Sequence, residues 1–303
     1  MFFVAINNLP MSQPRVALLG LGIMGGGMAN RLLSASFPLA VYNRDPAKAA
    51  PFAAVGAHIA ATPREAATGA RIIISMVADD SAARAVWLGH DGALAGAASG
   101  AVCIESSTVT VGWVRELAAA VAANDGKLLD APVTGSRIHA NSGELNFLVG
   151  GSASALETAR PVLAAMSKTI LHVGPTGSGA QLKLVNNFLC GVQVASLAEA
   201  VAMIERSGLD RAAALELLTN GAPGSPLVKT LAARMTAPDY TPNFLLRLMA
   251  KDLGYAQQEA ATHSLDLLTA AAARKVFQSA IAAGDGDKDM AAVVEQFRNA
   301  PPR

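Results

Sequence analysis

Short apolar runs alternate with stretches of helical period through the first half of the chain. Strand-length runs stand at residues 16–19, 39–42, 71–77, 101–104, 127–129, 146–149 and 170–173. Between them lie alanine-rich amphipathic stretches such as 110–124 and 152–166, with the period of a helix that buries one face. Strands and helices in alternation predict βαβ units and a mostly parallel sheet. Pro63 behind Thr62 predicts a helix start with Thr62 as its cap.

The pattern changes after the run Gly174-Pro175-Thr176-Gly177-Ser178-Gly179. Residues 180–206 read as one long helix whose weak point is Gly191, and helical stretches follow at 211–219, 227–235, 243–262, 267–283 and 290–299. A Gly/Pro-rich boundary with loss of strands marks a domain change near residue 176. The expected architecture is an unstructured lead (1–14), an α/β dinucleotide-binding domain of Rossmann type (15–176) and an all-α domain (177–303), the two joined by a long helix.

Composition narrows the possible partners. The chain has 303 residues, 52% of them hydrophobic and 16% charged, which raises the question of a membrane. The charge-free runs 16–30 and 184–198 contain Gly, Asn or Gln and fall short of the ~20 apolar residues a span needs, so no membrane partner is expected. A net charge of +1 offers no basic excess for nucleic acid. Two cysteines, Cys103 and Cys190, make no disulfide framework. The first residues lack the basic start and long apolar core of a secretory signal. A cytoplasmic location is expected, with Met11 an alternative start, and no metal site.

Gly20-Leu21-Gly22-Ile23-Met24-Gly25 matches G-x-G-x-x-G directly after a strand and at the opening of a helix, the context that this motif requires. Gly20 permits the tight turn, Gly22 lets a pyrophosphate approach the backbone, and Gly25 lets helix and strand pack closely. The helix N-terminus offers free N–H groups to phosphate. The next strand ends in Asn43-Arg44, where an NAD site would carry an acidic residue. Arg44 can pair with a 2′-phosphate, which favours NADP(H). Asp45 keeps NAD(H) open, unless it serves as a helix cap before Pro46.

Candidate chemistry is sparse. His58, His90, His139, His172 and His263 have no convincing site context. Lys183 lies on the first turns of the long helix with Asn187 at i+4 on the same face. A desolvated lysine in a cleft can move a proton, although a surface lysine with a buried stem reads the same way. The loop Asp130-Ala131-Pro132-Val133-Thr134-Gly135-Ser136 follows a strand, where open sheets place ligands. Its hydroxyls and amides could hold a carboxylate, or it is an ordinary turn. Lys251-Asp252 lies in a helix and could equally be a solvated pair.

Together, Gly20–Asn30, Asp130–Ser136, Gly177–Lys183 with Asn187, and Lys251-Asp252-Leu253-Gly254 resemble the β-hydroxyacid dehydrogenase family over nearly the whole chain from Arg15. The resemblance implies that Lys183 is the general acid/base and that Asn187 orients the substrate. It implies a substrate-carboxylate loop at Thr134, Gly135 and Ser136, with Phe244 as a pocket wall. It places Gly20, Gly22, Ile23, Met24, Gly25, Asn43, Arg44, Met76, Val77, Thr108 and Lys251 along the cofactor. It also implies a homodimer or homotetramer through the α domain and a small anionic substrate. The family's substrate loop usually reads Ser-Gly-Gly, whereas Thr134-Gly135-Ser136 stands here. Arg137 and residues 143–145 are closer to the glyoxylate/succinic semialdehyde reductases. Arg247, just before Lys251, faces either the pocket or solvent. Imine reduction on the same scaffold is the second reading, and lysine at 183 argues against it. A cofactor-binding interaction module without catalysis is the third.

Overall fold

The computed structural model describes residues 13–237 and 239–299; most of the lead expected over 1–14, Met11 included, lies outside the described residues. The first part runs β1 (Val16–Leu19), α1 (Ile23–Ser34), β2 (Leu39–Tyr42), α2 (Pro46–Ala49), β3 (His58–Ile59), α3 (Pro63–Ala67), β4 (Ile72–Ser75), α4 (Asp80–Leu88), β5 (Val102–Glu105), α5 (Val111–Ala123), β6 (Lys127–Asp130), β7 (Val133–Thr134), α6 (Arg137–Ser142), β8 (Leu145–Gly151), α7 (Ala153–Ala164) and β9 (Ser167–Gly174). The second is helical: α8 (Ser178–Ser207), α9 (Arg211–Asn220), α10 (Pro226–Thr236), α11 (Leu246–Thr262), α12 (Leu268–Ala282) and, after a 3-10 turn, α13 (Glu295–Arg298).

The sheet follows the order β3-β2-β1-β4-β5-β6-β8. It is parallel from β3 to β6 and becomes antiparallel where β8 meets β6 and β7, while β9 pairs parallel to β8. Both faces are covered, so the central strands are continuous apolar runs rather than alternating ones. Their side chains still divide with period two. Val16, Leu18, Ile72, Ile74, Val102 and Ile104 enter the core under α1 and α7. Ala17, Leu19, Ile73 and Cys103 enter the core on the opposite face, with Trp87 and Trp113. This is a Rossmann-like α/β domain followed by a helical one.

Every strand expected from the pattern is present, with ends moved by a few residues. The two-residue strands β3 and β7 carry too short a pattern to be read. Thr62 caps α3, its hydroxyl accepting from Glu65 N at 3.1 Å. α8 begins at Ser178, and Asp130 explains why: its carboxylate accepts Gly177 N at 2.8 Å and Ala180 N at 2.9 Å, satisfying amides that a helix start leaves open. Burial pushes the Asp130 pKa up, and those amides oppose the shift. α11 begins at Leu246 instead of residue 243, because the Asn243 and Phe244 amides donate to the buried Asp289 carboxylate at 2.8 and 3.1 Å. By length and composition α8 is long and apolar enough to cross a membrane, longer than the charge-free run suggested. Half of its most apolar stretch is buried against the rest of the protein, as in the core helix of a folded domain.

Candidate active site

The glycine turn lines a cleft of about 730 Å³ that also takes in Arg44 and Lys48, Met76 and Val77, and, from the helical domain, Leu245, Arg247 and Leu248. Gly20 has φ +100°, and a Cβ there would lie 2.3 Å from Met76 O. A Cβ on Gly25 would lie 2.0 Å from Gly20 O. Both positions therefore require glycine for the close approach of turn, helix and β4. Gly22 is different: a Cβ there would meet nothing within 4 Å, so its backbone is open to the cleft. Gly22 also caps α1 without a side-chain hydrogen bond, and the first turn of α1 holds no acidic residue. Open amides at the positive end of a helix suit a phosphate group.

At the end of β2, Asn43 Oδ1 accepts Leu21 N at 2.9 Å and so braces the glycine turn. Asp45 is committed as the cap of α2, accepting Ala47 N at 3.1 Å. Arg44 is exposed on the cleft rim, with no hydrogen bond or ion pair among the described residues. Arg44 and Lys48 bring two cationic side chains to this end of the cleft, which the carboxylates of Asp45 and Asp91 also line. The residues present fit a dinucleotide.

Thr108 and Lys251 meet across the domains, Lys251 Nζ donating to Thr108 O at 2.6 Å. The same ammonium stands 4.5 Å above the Tyr255 ring. It also lies 2.9 Å from Asp252 Oδ1, an ion pair without hydrogen-bond alignment, since Oδ1 has no directed donor. Asp252 Oδ2 accepts Asn187 Nδ2 at 2.6 Å. Lys183, one turn before Asn187 on α8, is 7% exposed and has no hydrogen bond or ion pair among the described residues. Burial pushes its pKa down; the charge of Asp252 opposes this, and Lys251 adds to it. A buried lysine of lowered pKa, free of partners, is equipped to exchange a proton.

The remaining candidates are placed less directly. Gly135 has φ +121° between β7 and α6. Thr134 Oγ1 accepts Asn146 Nδ2 at 3.3 Å. The Ser136 amide, one of those expected to be open to a carboxylate, donates to His139 Nδ1 at 3.1 Å. Among the described residues no hydrogen bond joins this loop to Lys183 or Asn187. Phe244 packs against the helical core. The other histidines have local partners: His58 with Glu65, His90 with Asp91, His172 with Gly151 O, and His263 with Glu259. No group of three potential metal ligands occurs among the described residues. Nothing in the sequence marks Asp252 as the group that ties Asn187 to Lys251. Its place next to a lysine in a helix looked like a surface pair. Cys190 shares the Lys183 face at i+7 and interacts with its charge.

Comparison with known proteins agrees with this arrangement. The NAD binding domain of 6-phosphogluconate dehydrogenase matches residues 15–174, and the NAD-binding domain of NADP-dependent 3-hydroxyisobutyrate dehydrogenase matches 177–297. The 3-hydroxyisobutyrate dehydrogenase of Pseudomonas aeruginosa is 36% identical over 86% of this chain and 90% of its own length. The NAD-dependent L-serine dehydrogenase of the same organism is 33% identical over 93% and 97%. The solved structure of Mycobacterium tuberculosis 3-hydroxyisobutyrate dehydrogenase with L-serine superposes with a TM-score of 0.85 at 31% identity, over 94% of this chain and 99% of that one. Fold, cleft and relatives define an NAD(P)-dependent dehydrogenase acting on hydroxy acids. The chain belongs to the 3-hydroxyisobutyrate dehydrogenase, or β-hydroxyacid dehydrogenase, family.

Proposed function

We propose that this dehydrogenase interconverts a small hydroxy acid and the corresponding aldehyde acid with a preference for NADP(H), and that Lys183 is its general acid/base. The observation that carries the reading is Lys183 itself: almost wholly buried, without a hydrogen bond or ion pair among the described residues, one helical turn from Asn187 and beside the Asp252–Lys251 pair. The glycine turn and the N-terminus of α1 would hold the pyrophosphate, Arg44 and Lys48 the adenosine end, and Thr108 with Lys251 the nicotinamide side. When bound, the nicotinamide supplies or accepts the hydride. In reduction Lys183 Nζ gives a proton to the carbonyl oxygen as the C–H bond forms; in oxidation the neutral amine takes that proton from the hydroxyl. Asn187, held by Asp252, would orient the same oxygen. Such help is worth roughly 10²–10⁴-fold.

NADP(H) is favoured because Arg44 stands on the rim without an ion pair among the described residues and the nearby carboxylate of Asp45 is used as a cap. Pairing through the helical domain is supported by exposed apolar side chains on α8, among them Val185, Leu189 and Met203. α9, despite its leucines, buries no residue. The test is turnover of glyoxylate, succinic semialdehyde, tartronate semialdehyde, methylmalonate semialdehyde, 3-hydroxyisobutyrate, L-serine and cyclic imines with each cofactor. Turnover of at least one acid substrate, faster with NADPH or NADP⁺, is expected. Turnover of imines alone overturns the substrate class, and equal or faster rates with NADH overturn the cofactor preference.

A further inference from the structure

α11 presents three long side chains at i, i+4 and i+8: Arg247, Lys251 and Tyr255, positions that share a helix face. Two of them have a partner in the dinucleotide domain. The Tyr255 hydroxyl accepts Asp80 N at 3.2 Å, and Lys251 donates to Thr108 O. Arg247 is the next step along this ridge, toward the start of α11. It lines the cleft that the glycine turn and Arg44 also line.

Among the described residues its one polar side-chain partner is Asp287 of its own domain, which accepts from Nε at 2.7 Å. Nη1 and Nη2 have no hydrogen bond among the described residues. Asp287 is 85% exposed, so the pair remains in water and adds little stability. Its geometric effect is larger, because it holds the guanidinium by Nε and leaves the outer edge free. That edge matches an oxyanion in bidentate fashion. The backbone beneath is fixed, with Leu246 N donating to Lys288 O at 2.9 Å and Arg247 N to Gly286 O at 3.1 Å. Four residues, about 6 Å of helix rise, separate Arg247 from Lys251 and its contact with Thr108.

We propose that Arg247 is a phosphate clamp carried by the helical domain, gripping the dinucleotide pyrophosphate across the cleft from the N-terminus of α1. The clamp rests on the reading of this cleft as the dinucleotide site. One pyrophosphate would then be held by both domains, so that cofactor binding draws them together.

The test measures Kd for NADPH, NADH and ADP-ribose by calorimetry at two ionic strengths, in the wild type, R247A and R247K. ADP-ribose keeps the pyrophosphate and lacks the nicotinamide. R247A is expected to weaken all three by about ten-fold or more, the worth of a charge-assisted hydrogen bond. It should leave the NADPH/NADH ratio unchanged and flatten the salt dependence. R247K, which keeps the charge and loses the fork, should fall between, and serves as the reading if R247A does not fold. Affinities unchanged in both variants overturn the clamp alone, as does a loss confined to NADPH, which would put Arg247 on the 2′-phosphate. A wild type that binds none of the three overturns the functional reading and the clamp with it.

Discussion

Asn187 on α8 and Asp252 on α11 are joined by a buried 2.6 Å hydrogen bond, and the other Asp252 oxygen lies 2.9 Å from Lys251. Asp252 thus sets the position of Asn187 and places negative charge near Lys183. The Lys183 pKa is lowered by burial and partly restored by Asp252. Asp252→Asn retains an acceptor for Asn187 and removes the charge, so the Lys183 pKa should fall further. For reduction Lys183 must be protonated, and the alkaline limb of kcat/KM should move to lower pH. For oxidation it must be neutral, and the acid limb should move to lower pH as well. An unchanged pH profile in both directions would show that Asp252 is only a strut.

Lys183→Ala should lower kcat by about 10²–10⁴-fold, the range of general acid/base catalysis. The NADPH Kd should stay near that of the wild type, since the role proposed for Lys183 is on the substrate oxygen and not on the cofactor. Lys183→Arg should not restore oxidation, because a guanidinium remains protonated at any working pH. Steady-state rates together with a fluorescence titration of NADPH separate the two effects. A Lys183→Ala enzyme with kcat near the wild type would remove Lys183 from the chemistry.

Much of this architecture could be read from periodicity. The buried strands are apolar because both sheet faces are covered, and the glycine turn declared itself because its backbone contacts admit no Cβ at Gly20 or Gly25. What escaped depends on contacts between residues far apart in sequence. The α11 start is delayed by Asp289, more than forty residues on. Asp252 looked like half of a surface ion pair, and it acquires its role only when α11 packs on α8. The Ser136 amide is the local exception, taken up when the α6 turn brings His139, three residues on, back to it. β3 and β7, two residues each, are strands because neighbours pair with them and not because of any pattern of their own.

Arg44 decides cofactor preference if the second-strand reading is right. It has no hydrogen bond or ion pair among the described residues, so Arg44→Ala should leave stability nearly unchanged. It should weaken NADPH by about ten-fold or more, the worth of a charged hydrogen bond, and hardly affect NADH. Asp45→Ala removes the cap of α2 and should cost about 1 kcal/mol without reversing the preference. The ratio of kcat/KM for the two cofactors is the readout. A ratio unchanged in Arg44→Ala would mean that the 2′-phosphate is held elsewhere.

Gly22 and Gly25 lie three residues apart in one turn, yet their replacement by alanine should have different effects. Gly22 has φ −73° and ψ −161°, extended backbone that alanine adopts readily, and a Cβ there meets open space. Gly22→Ala should therefore fold with a urea midpoint near the wild type. Its methyl would project where a phosphate must approach the backbone, so dinucleotide affinity should fall by about ten-fold or more. At Gly25 the Cβ would lie 2.0 Å from a backbone oxygen, Gly20 O, which cannot turn aside as a side chain would. Helix α1 must move off β1, and overpacking of this kind costs about 1–3 kcal/mol. Gly25→Ala should thus lower the urea midpoint and the affinity together. If Gly22→Ala binds NADPH like the wild type while folding normally, the open backbone at Gly22 is not where the phosphates lie, and the cofactor path along this cleft has to be redrawn.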